Sequence, residues 1–359
     1  VRNAVADRVS HRVSHRVSHR AGFVLPFVVV ATALVAVLAL AAVTTVWRGH
    51  RAARLAANGV RAQFAGDEGL ALQLDVWPAQ SLAAVALGTT LSTRITTAVG
   101  DSVRMRVTRT QPLVAWLTAQ VALEPMGTPG IVRRQVTRVV SLDPPALPIV
   151  GALTAIAAVH AQHPTTIDGR DLADAADACG ALRDTLSRVP IAATALIEAP
   201  AGSWPGQPAS LLITDTAAMR AAFNHAWTTV ATRSAVRPSN ANPQTLALLP
   251  GWHALLLDGP RAAVHAPARW RGLLAVSGDL VVTGSLDVDG VLVVRGRLDT
   301  RGAALRIRGA LVVASLGNGN VELGDLTSIR YDRCAVQMAL ATVAVPRAQS
   351  FSLWYSPSH

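Results

Sequence analysis

Four aspartates, Asp279, Asp287, Asp289 and Asp299, fall on a glycine-punctuated repeat, and two carboxylates at the right separation can hydrolyse a glycosidic bond. Their places at turns or on outward positions are also those of a plain solvated face, so no catalysis is expected from them. His160, His163, Asp168 and Asp171 cluster around an Asp-Gly-Arg-Asp loop. Their spacing fits neither the twelve-residue calcium loop nor a zinc motif. His11, His15 and His19 are four apart, which on a helix makes one face of imidazoles that could hold a metal. They also lie in a tandem Arg-Val-Ser-His duplication, the composition of a disposable leader. Gly202-Ser203-Trp204-Pro205-Gly206 has the glycine and serine of a nucleophile elbow, but proline stands where the elbow opens a helix, so a turn is expected. The chain carries no His-Glu-x-x-His and no phosphate loop, and its two cysteines exclude a four-cysteine zinc or iron–sulfur site. The expectation is a protein that is not an enzyme, with no cofactor and no metal.

The 359 residues are 51% apolar and 15% charged, which excludes an intrinsically disordered chain. Aromatics make up 4%, so the core is built from Ala, Val and Leu. The net charge of +11 comes from 33 basic and 22 acidic residues, and every basic residue is Arg. An exclusive use of Arg beside so much Ala reads as codon bias, so the charge is not taken as a nucleic-acid footprint and no nucleic-acid partner is expected. Val1 in place of Met leaves the true translation start open.

What must be positioned is therefore apolar surface. Residues 1–22 form a basic leader with five Arg and one Asp, +4 of the total. From Ala21 to Trp47 no residue is charged, enough for a membrane-crossing helix of about 20 residues and longer than the apolar core of about 7–15 residues in a signal peptide. Arg48, Arg51 and Arg54 follow. The longer basic segment lies before the span, which keeps the amino terminus cytoplasmic. Helical sequence then continues to Pro78, with Ala52, Ala53, Leu55, Ala56, Val60, Phe64, Leu70 and Leu74 at helix-like spacing. One helix from Phe23 to about Leu74 would be ~78 Å long, half of it in the membrane and half amphipathic outside it.

Arg20-Ala21-Gly22-Phe23 resembles a prepilin peptidase site, and Gln63-Phe64-Ala65-Gly66-Asp67-Glu68-Gly69-Leu70 resembles the end of the PilX-type minor pilin helix. The resemblance spans roughly residues 20–74 and extends to minor pseudopilins of type II secretion. It implies cleavage after Gly22, with Phe23 as the new terminus. It implies a single-pass subunit of the bacterial inner membrane whose body is exported to the periplasm or a surface filament. Its implied partners are prepilin peptidase, other pilins or pseudopilins, the inner-membrane assembly platform and membrane lipid. The chain departs from major pilins at Phe27, where they carry a Glu that neutralises a neighbour's terminal amine. Together with Glu68, Phe27 marks this motif, and its lack of charge argues against an abundant repeating subunit. The competing reading is a membrane-anchored envelope protein whose β-repeat binds polysaccharide or self-associates, with no filament role.

The expected fold class is α+β: a long pilin-like helix over 23–77, then a mostly β exported body. A mixed β/α domain is expected over 78–268, with strands between Leu91 and Val140 in which Ile95, Val99, Val103, Met105 and Val107 form one face and Arg104, Arg106 and Arg109 the other. Ala146–Val159 is read as buried structure. Asp215 reads as an N-cap for a helix bearing Met219, Ala222, Phe223, Ala226, Trp227 and Val230 on one side, and residues 233–243 as a polar loop. Over 269–345, Gly278, Gly284, Gly290, Gly296 and Gly302 are six apart and Gly309 follows after seven. Leu and Val two apart between them predict coils of a β-helix, or a meander of short hairpins. A carboxyl-terminal tail is expected over 346–359. An exported body makes a Cys179–Cys334 disulfide the natural reading, against two buried thiols.

Overall fold

The computed structural model of the protein describes residues 24–83, 85–123, 132–162, 164–171, 179, 188–195, 197–198, 210–238, 251–315 and 319–355. The first element, α1 (Val24–Asp75), is a single helix of 52 residues. Pro26 lies in its first turn, where a missing N–H costs nothing, and Pro78 stands just past its end. A short α2 (Ala79–Ala83) follows.

Four antiparallel strands come next: β1 (Thr90–Thr96), β2 (Ser102–Gln111), β3 (Val114–Leu123) and β4 (Val132–Asp143). Alternation decides which face they bury. Val103, Met105, Val107, Ala115, Leu117, Ala119, Val121, Val136 and Val140 point to one side, where they meet Ala62, Ala65 and Leu70 of α1. Arg104 and Arg106 lie on the exposed side, as expected. Arg109 does not. It is in phase with Val103, Met105 and Val107 and is fully buried. Its guanidinium donates to the carbonyl oxygens of Pro112 (3.0 Å) and Ala83 (3.4 Å), tying α2 and the β2–β3 turn to the sheet. Burial lowers its pKa to about 10, which leaves it cationic at neutral pH. The expected polarity of Arg misplaced it; strand parity places it correctly.

The rest of the body winds in parallel. Its first strands are β5 (Gly151–Ala155), β6 (Val159–Ala161), β7 (Thr166–Asp168), β8 (Val189–Ala193), β9 (Ile197–Glu198) and β10 (Ser210–Leu212). Helix α3 (Thr216–Arg233) follows, capped by the Asp215 carboxylate on the Ala218 N–H, with Phe223, Ala226, Trp227 and Val230 buried. Then come β11 (Ala235–Pro238), β12 (His253–Asp258), β13 (Arg261–Val264), β14 (Ala268–Val276), β15 (Asp279–Val282), β16 (Ser285–Val294), β17 (Leu298–Asp299), β18 (Ala304–Val313), β19 (Val321–Leu323) and β20 (Ser328–Tyr331). Helix α4 (Arg333–Ala341) and strand β21 (Val345–Tyr355) end the described chain.

Two parallel ladders collect these strands. One runs β10-β8-β5-β18-β16-β14-β12-β11, the other β13-β15-β17-β19-β6-β9. The neighbours are parallel, whereas a hairpin meander requires antiparallel ones. Successive strands of the repeat are in register at Gly272, Gly290 and Gly309, 18 and 19 residues apart. One passage through both ladders therefore takes three of the six-residue units.

The chain enters this stack in its middle, at β5. It winds outward to β10, crosses by α3 to the far edge at β11, and winds back until β18 meets β5. The ladders thus take strands from both sides of residue 268, where the sequence placed a boundary between a mixed domain and the repeat. Residues 235–238, read as loop, form a strand. Residues 345–355, mostly read as tail, pair antiparallel with β4 and complete the sheet under α1.

Candidate functional site

The apolar half of α1 is the largest exposed hydrophobic surface of the described chain. Residues 24–47 carry no charge, cover about 36 Å at 1.5 Å per residue, and match a hydrocarbon core of about 30 Å. Val24, Leu25, Phe27, Leu34, Leu38 and Trp47 are all more than half exposed. The polar atoms within the stretch are satisfied internally: the hydroxyls of Thr32, Thr44 and Thr45 donate to carbonyl oxygens three or four residues back. Trp47 closes the stretch, with the Arg51 guanidinium 5.7 Å from its ring centre, the aromatic and basic pairing that favours a bilayer interface. By length and composition α1 can cross a membrane.

The second half of α1 has a seat. Gly59, Ala62, Ala65, Gly66, Gly69, Leu70 and Gln73 are its buried residues, a stripe that lets the helix approach the sheet closely. A Cβ on Gly66 would lie 3.0 Å from Val136 Cγ2, and one on Gly69 3.0 Å from Val103 Cγ1. Three polar clips flank the stripe. Arg61 binds both carboxylate oxygens of Asp101 at 3.0 and 2.7 Å. Arg138 donates to Asp67 at 2.9 Å. Glu68 accepts the Ala98 N–H at 2.7 Å. The hydrogen bond to Asp101, with its charge, raises the Arg61 pKa. Thr97, Ala98 and Asp101 belong to the β1–β2 turn, so one hairpin tip takes two of the three clips.

Glu68, singled out from the sequence, is thus a residue that docks the helix. The glycine stripe, Arg61 with Asp101 and Asp67 with Arg138 were missed. Their signal was present: glycines at 59, 66 and 69 share a helical face, and Arg138 shares the parity of buried Val136 and Val140. A direct consequence is that Gly66→Leu should lift the helix from its seat and cost about 1–3 kcal/mol by overpacking. Gly49→Leu, which meets nothing within 4 Å and puts a better helix former in the helix interior, should not lower stability. Urea midpoints of the two variants in detergent check this.

The other expected site residues disperse. Gly22, Phe23, His11, His15, His19, His163 and residues 202–206 lie outside the described residues. His160 pairs with Glu198 at 2.7 Å. Asp168 binds Arg170 through both oxygens. Burial works to raise its pKa, but the hydrogen bonds and charge of Arg170 hold it below the ordinary value. Asp171 accepts the Arg333 N–H at 3.0 Å. Among the described residues no three metal-ligating side chains gather.

The four repeat aspartates are each engaged. Asp279 accepts the Arg297 N–H. Asp287 lies in register between Arg269 and Arg306, and Asp289 between Arg271 and Arg308. Asp299 binds Arg301, which lowers its pKa despite partial burial. Stacking parallel strands in register sets opposite charges side by side, a structural use of these carboxylates. Cys179 and Cys334, both buried, are joined with Cα atoms 5.7 Å apart.

No protein-family model matches the chain, and no curated protein sequence is similar to it. Among solved structures the chain is similar to the competence-associated pilin ComZ from Thermus thermophilus, at 11% identity over 84% of this chain and 98% of that one, with a TM-score of 0.24.

Proposed function

We propose that the protein is a minor pilin-like structural subunit of a type IV pilus or a related secretion pseudopilus. The observation that carries the reading is one unbroken helix, α1, bare and apolar over its first half and clamped to a folded body over its second. Such a helix can pass from a bilayer into a bundle of like helices without refolding, because both surroundings are apolar and every contact within the body is kept. Prepilin peptidase would cut after Gly22. The assembly platform would then extract the subunit from the inner membrane toward other pilins, with the body already outside. An oxidising exterior accounts for the Cys179–Cys334 bond. The two parallel ladders are read as a β-helix, a rigid head whose outermost coils are filled by β5, β6, β8, β9 and β10 at one end and β11, β12 and β13 at the other. No catalytic role is assigned.

Phe27 gives this reading a consequence that can be measured. A filament subunit that needs a carboxylate to neutralise its neighbour's amine cannot obtain it here, and a buried unpaired charge is costly. The subunit should therefore be scarce and sit where that pairing is not required, at or near a tip. Proteomics of sheared filaments should find it far below the major pilin in copy number, and Phe27→Glu should raise its share in the shaft. Parity with the major pilin in the unmodified strain would overturn the placement.

A further inference from the structure

The outward face of the antiparallel sheet, opposite α1, has a composition found nowhere else in the described body. The register of β1–β4 lays it out in rows: Thr90, Thr108, Trp116 and Val139; Ser92, Arg106, Thr118 and Thr137; Arg94, Arg104, Gln120 and Gln135. Thr96, Ser102, Ala122 and Arg133 complete it at one end. Over these rows the face holds four arginines and no acid; Asp143, at the far end of β4 on the same side, is taken by Arg347. Arg94 and Arg104 stand directly opposite one another, an arrangement of like charges that destabilises a sheet. Several arginines elsewhere in the body are neutralised in place, as at Arg61–Asp101, Arg138–Asp67, Arg301–Asp299 and Arg308–Asp332. Arg94, Arg104, Arg106 and Arg133 are exposed and have no ion-pair partner among the described residues.

The surroundings of these guanidinium groups define what would fit. An open hollow of about 630 Å³ is lined by Arg94, Ser102, Arg104, Gln120, Arg133 and Gln135, among others. Hydroxyl and amide pairs floor the face: Thr90 with Thr108 at 2.8 Å, Thr118 with Thr137 at 3.1 Å, Gln120 with Gln135 at 3.2 Å. Trp116 is 47% exposed on the same face. Together these offer a flat apolar ring, neutral hydrogen-bonding groups and forked cations.

We propose that this face binds an acidic polysaccharide, one whose sugars bear carboxylates. Guanidinium forks pair with carboxylates in two parallel hydrogen bonds, the Thr and Gln groups meet ring hydroxyls, and the Trp116 indole covers the C–H face of a sugar. Single-stranded nucleic acid is the lesser fit, because it is held by successive aromatic platforms and β1–β4 present one aromatic on this face. A membrane surface is out of reach. The sheet first meets α1 at Gly59, twelve residues or about 18 Å beyond Trp47, and screening at physiological salt leaves little field past about 8 Å. The inference does not depend on filament assembly, since α1 occupies the opposite face.

Binding of polygalacturonate to the full chain in detergent tests it, with dextran as the neutral polymer and oligodeoxythymidylate as the nucleic acid. Polygalacturonate should bind and dextran should not. Arg94→Gln with Arg104→Gln should weaken binding about tenfold, and Trp116→Ala should weaken it further. Arg220→Gln with Arg261→Gln, two exposed arginines outside the face, removes the same charge and should change binding less than about twofold, as the screening of distant charges requires. If the first variant melts early, Arg106→Gln with Arg133→Gln serves the same reading. Equal losses in the face and control variants, tighter binding of oligodeoxythymidylate than of polygalacturonate, or no binding of polygalacturonate would each overturn the proposal.

Discussion

Gly309→Ala should collapse the parallel stack, lowering stability by about 4 kcal/mol or more. Two costs combine. Gly309 has φ near +140°, a backbone conformation whose strain for a side-chain residue is of order 1–3 kcal/mol. Its new Cβ would also lie 1.8 Å from the Gly290 carbonyl oxygen, and overpacking costs about 1–3 kcal/mol even where neighbours can yield. Here they cannot. Gly290 stands in register between Gly272 and Gly309, its own missing Cβ is 2.2 Å from the Gly272 oxygen, and Ala339 of α4 closes the other side at 3.0 Å. Gly302→Ala is the matched comparison: φ is +75°, but nothing lies within 4 Å, so about 1–2 kcal/mol of conformational strain is all it should lose. Urea unfolding followed by Trp fluorescence separates the two. Equal midpoints for both variants would show that close backbone approach at the glycine ladder is not what holds the parallel strands in register.

Removing the disulfide should have an effect of similar size. The bond joins residues 155 apart in sequence, and the loop-closure model gives about 5 kcal/mol for a loop of that length, with strain commonly reducing it. Cys334 lies on α4, whose Ala339 packs on the glycine ladder, and the adjacent Arg333 N–H is held by Asp171. The crosslink therefore pins the strands that enter the stack first to the helix that covers it last. Cys179→Ala with Cys334→Ala should lower stability by about 2–5 kcal/mol. A reductant should shift the unmodified protein by the same amount and leave the double variant where it was. Two thiols open to alkylation in protein taken from the cell envelope would contradict the bond.

Local features of the sequence were readable, and non-local ones were not. The helix expected over Phe23–Leu74 is present over Val24–Asp75, because the absence of proline beyond the first turn and the run of Ala, Leu and Val are properties of the segment itself. Asp215 and the buried side of α3 follow from capping and a 3.6-residue period. Arg109 shows the weakness of residue type as a guide: its parity placed it inside, and the cost of burying a cation argued for outside. Carbonyls from the β2–β3 turn and α2 make the buried position tenable, and neither was visible as a neighbour.

The six-residue glycine period was legible from Gly278 onward, yet Gly272, the first rung of the ladder, was missed although its own hexad carries the same pattern, with Leu274 and Val276 two apart. That β5 would lie beside β18, and Val345–Tyr355 beside β4, depends on pairings more than 150 residues apart. Strands of three to five residues such as β5 to β8 leave no mark of which edge they will join. The same gap separated Glu68, found by its place in a motif, from Arg61, Asp67 and the glycine stripe. Only the sheet beneath them shows that all serve to seat one helix.

In the proposed role α1 is first a membrane span and then a filament element, released for that change by removal of the leader. Mass spectrometry of the amino-terminal peptide of the protein recovered from cells tests this most directly. A mature chain beginning at Phe23 is expected, and it should be abolished when Gly22 is replaced by a bulky residue. A chain that keeps residues 1–22, or one cut beyond Trp47 so that the apolar half of α1 is lost, would contradict it.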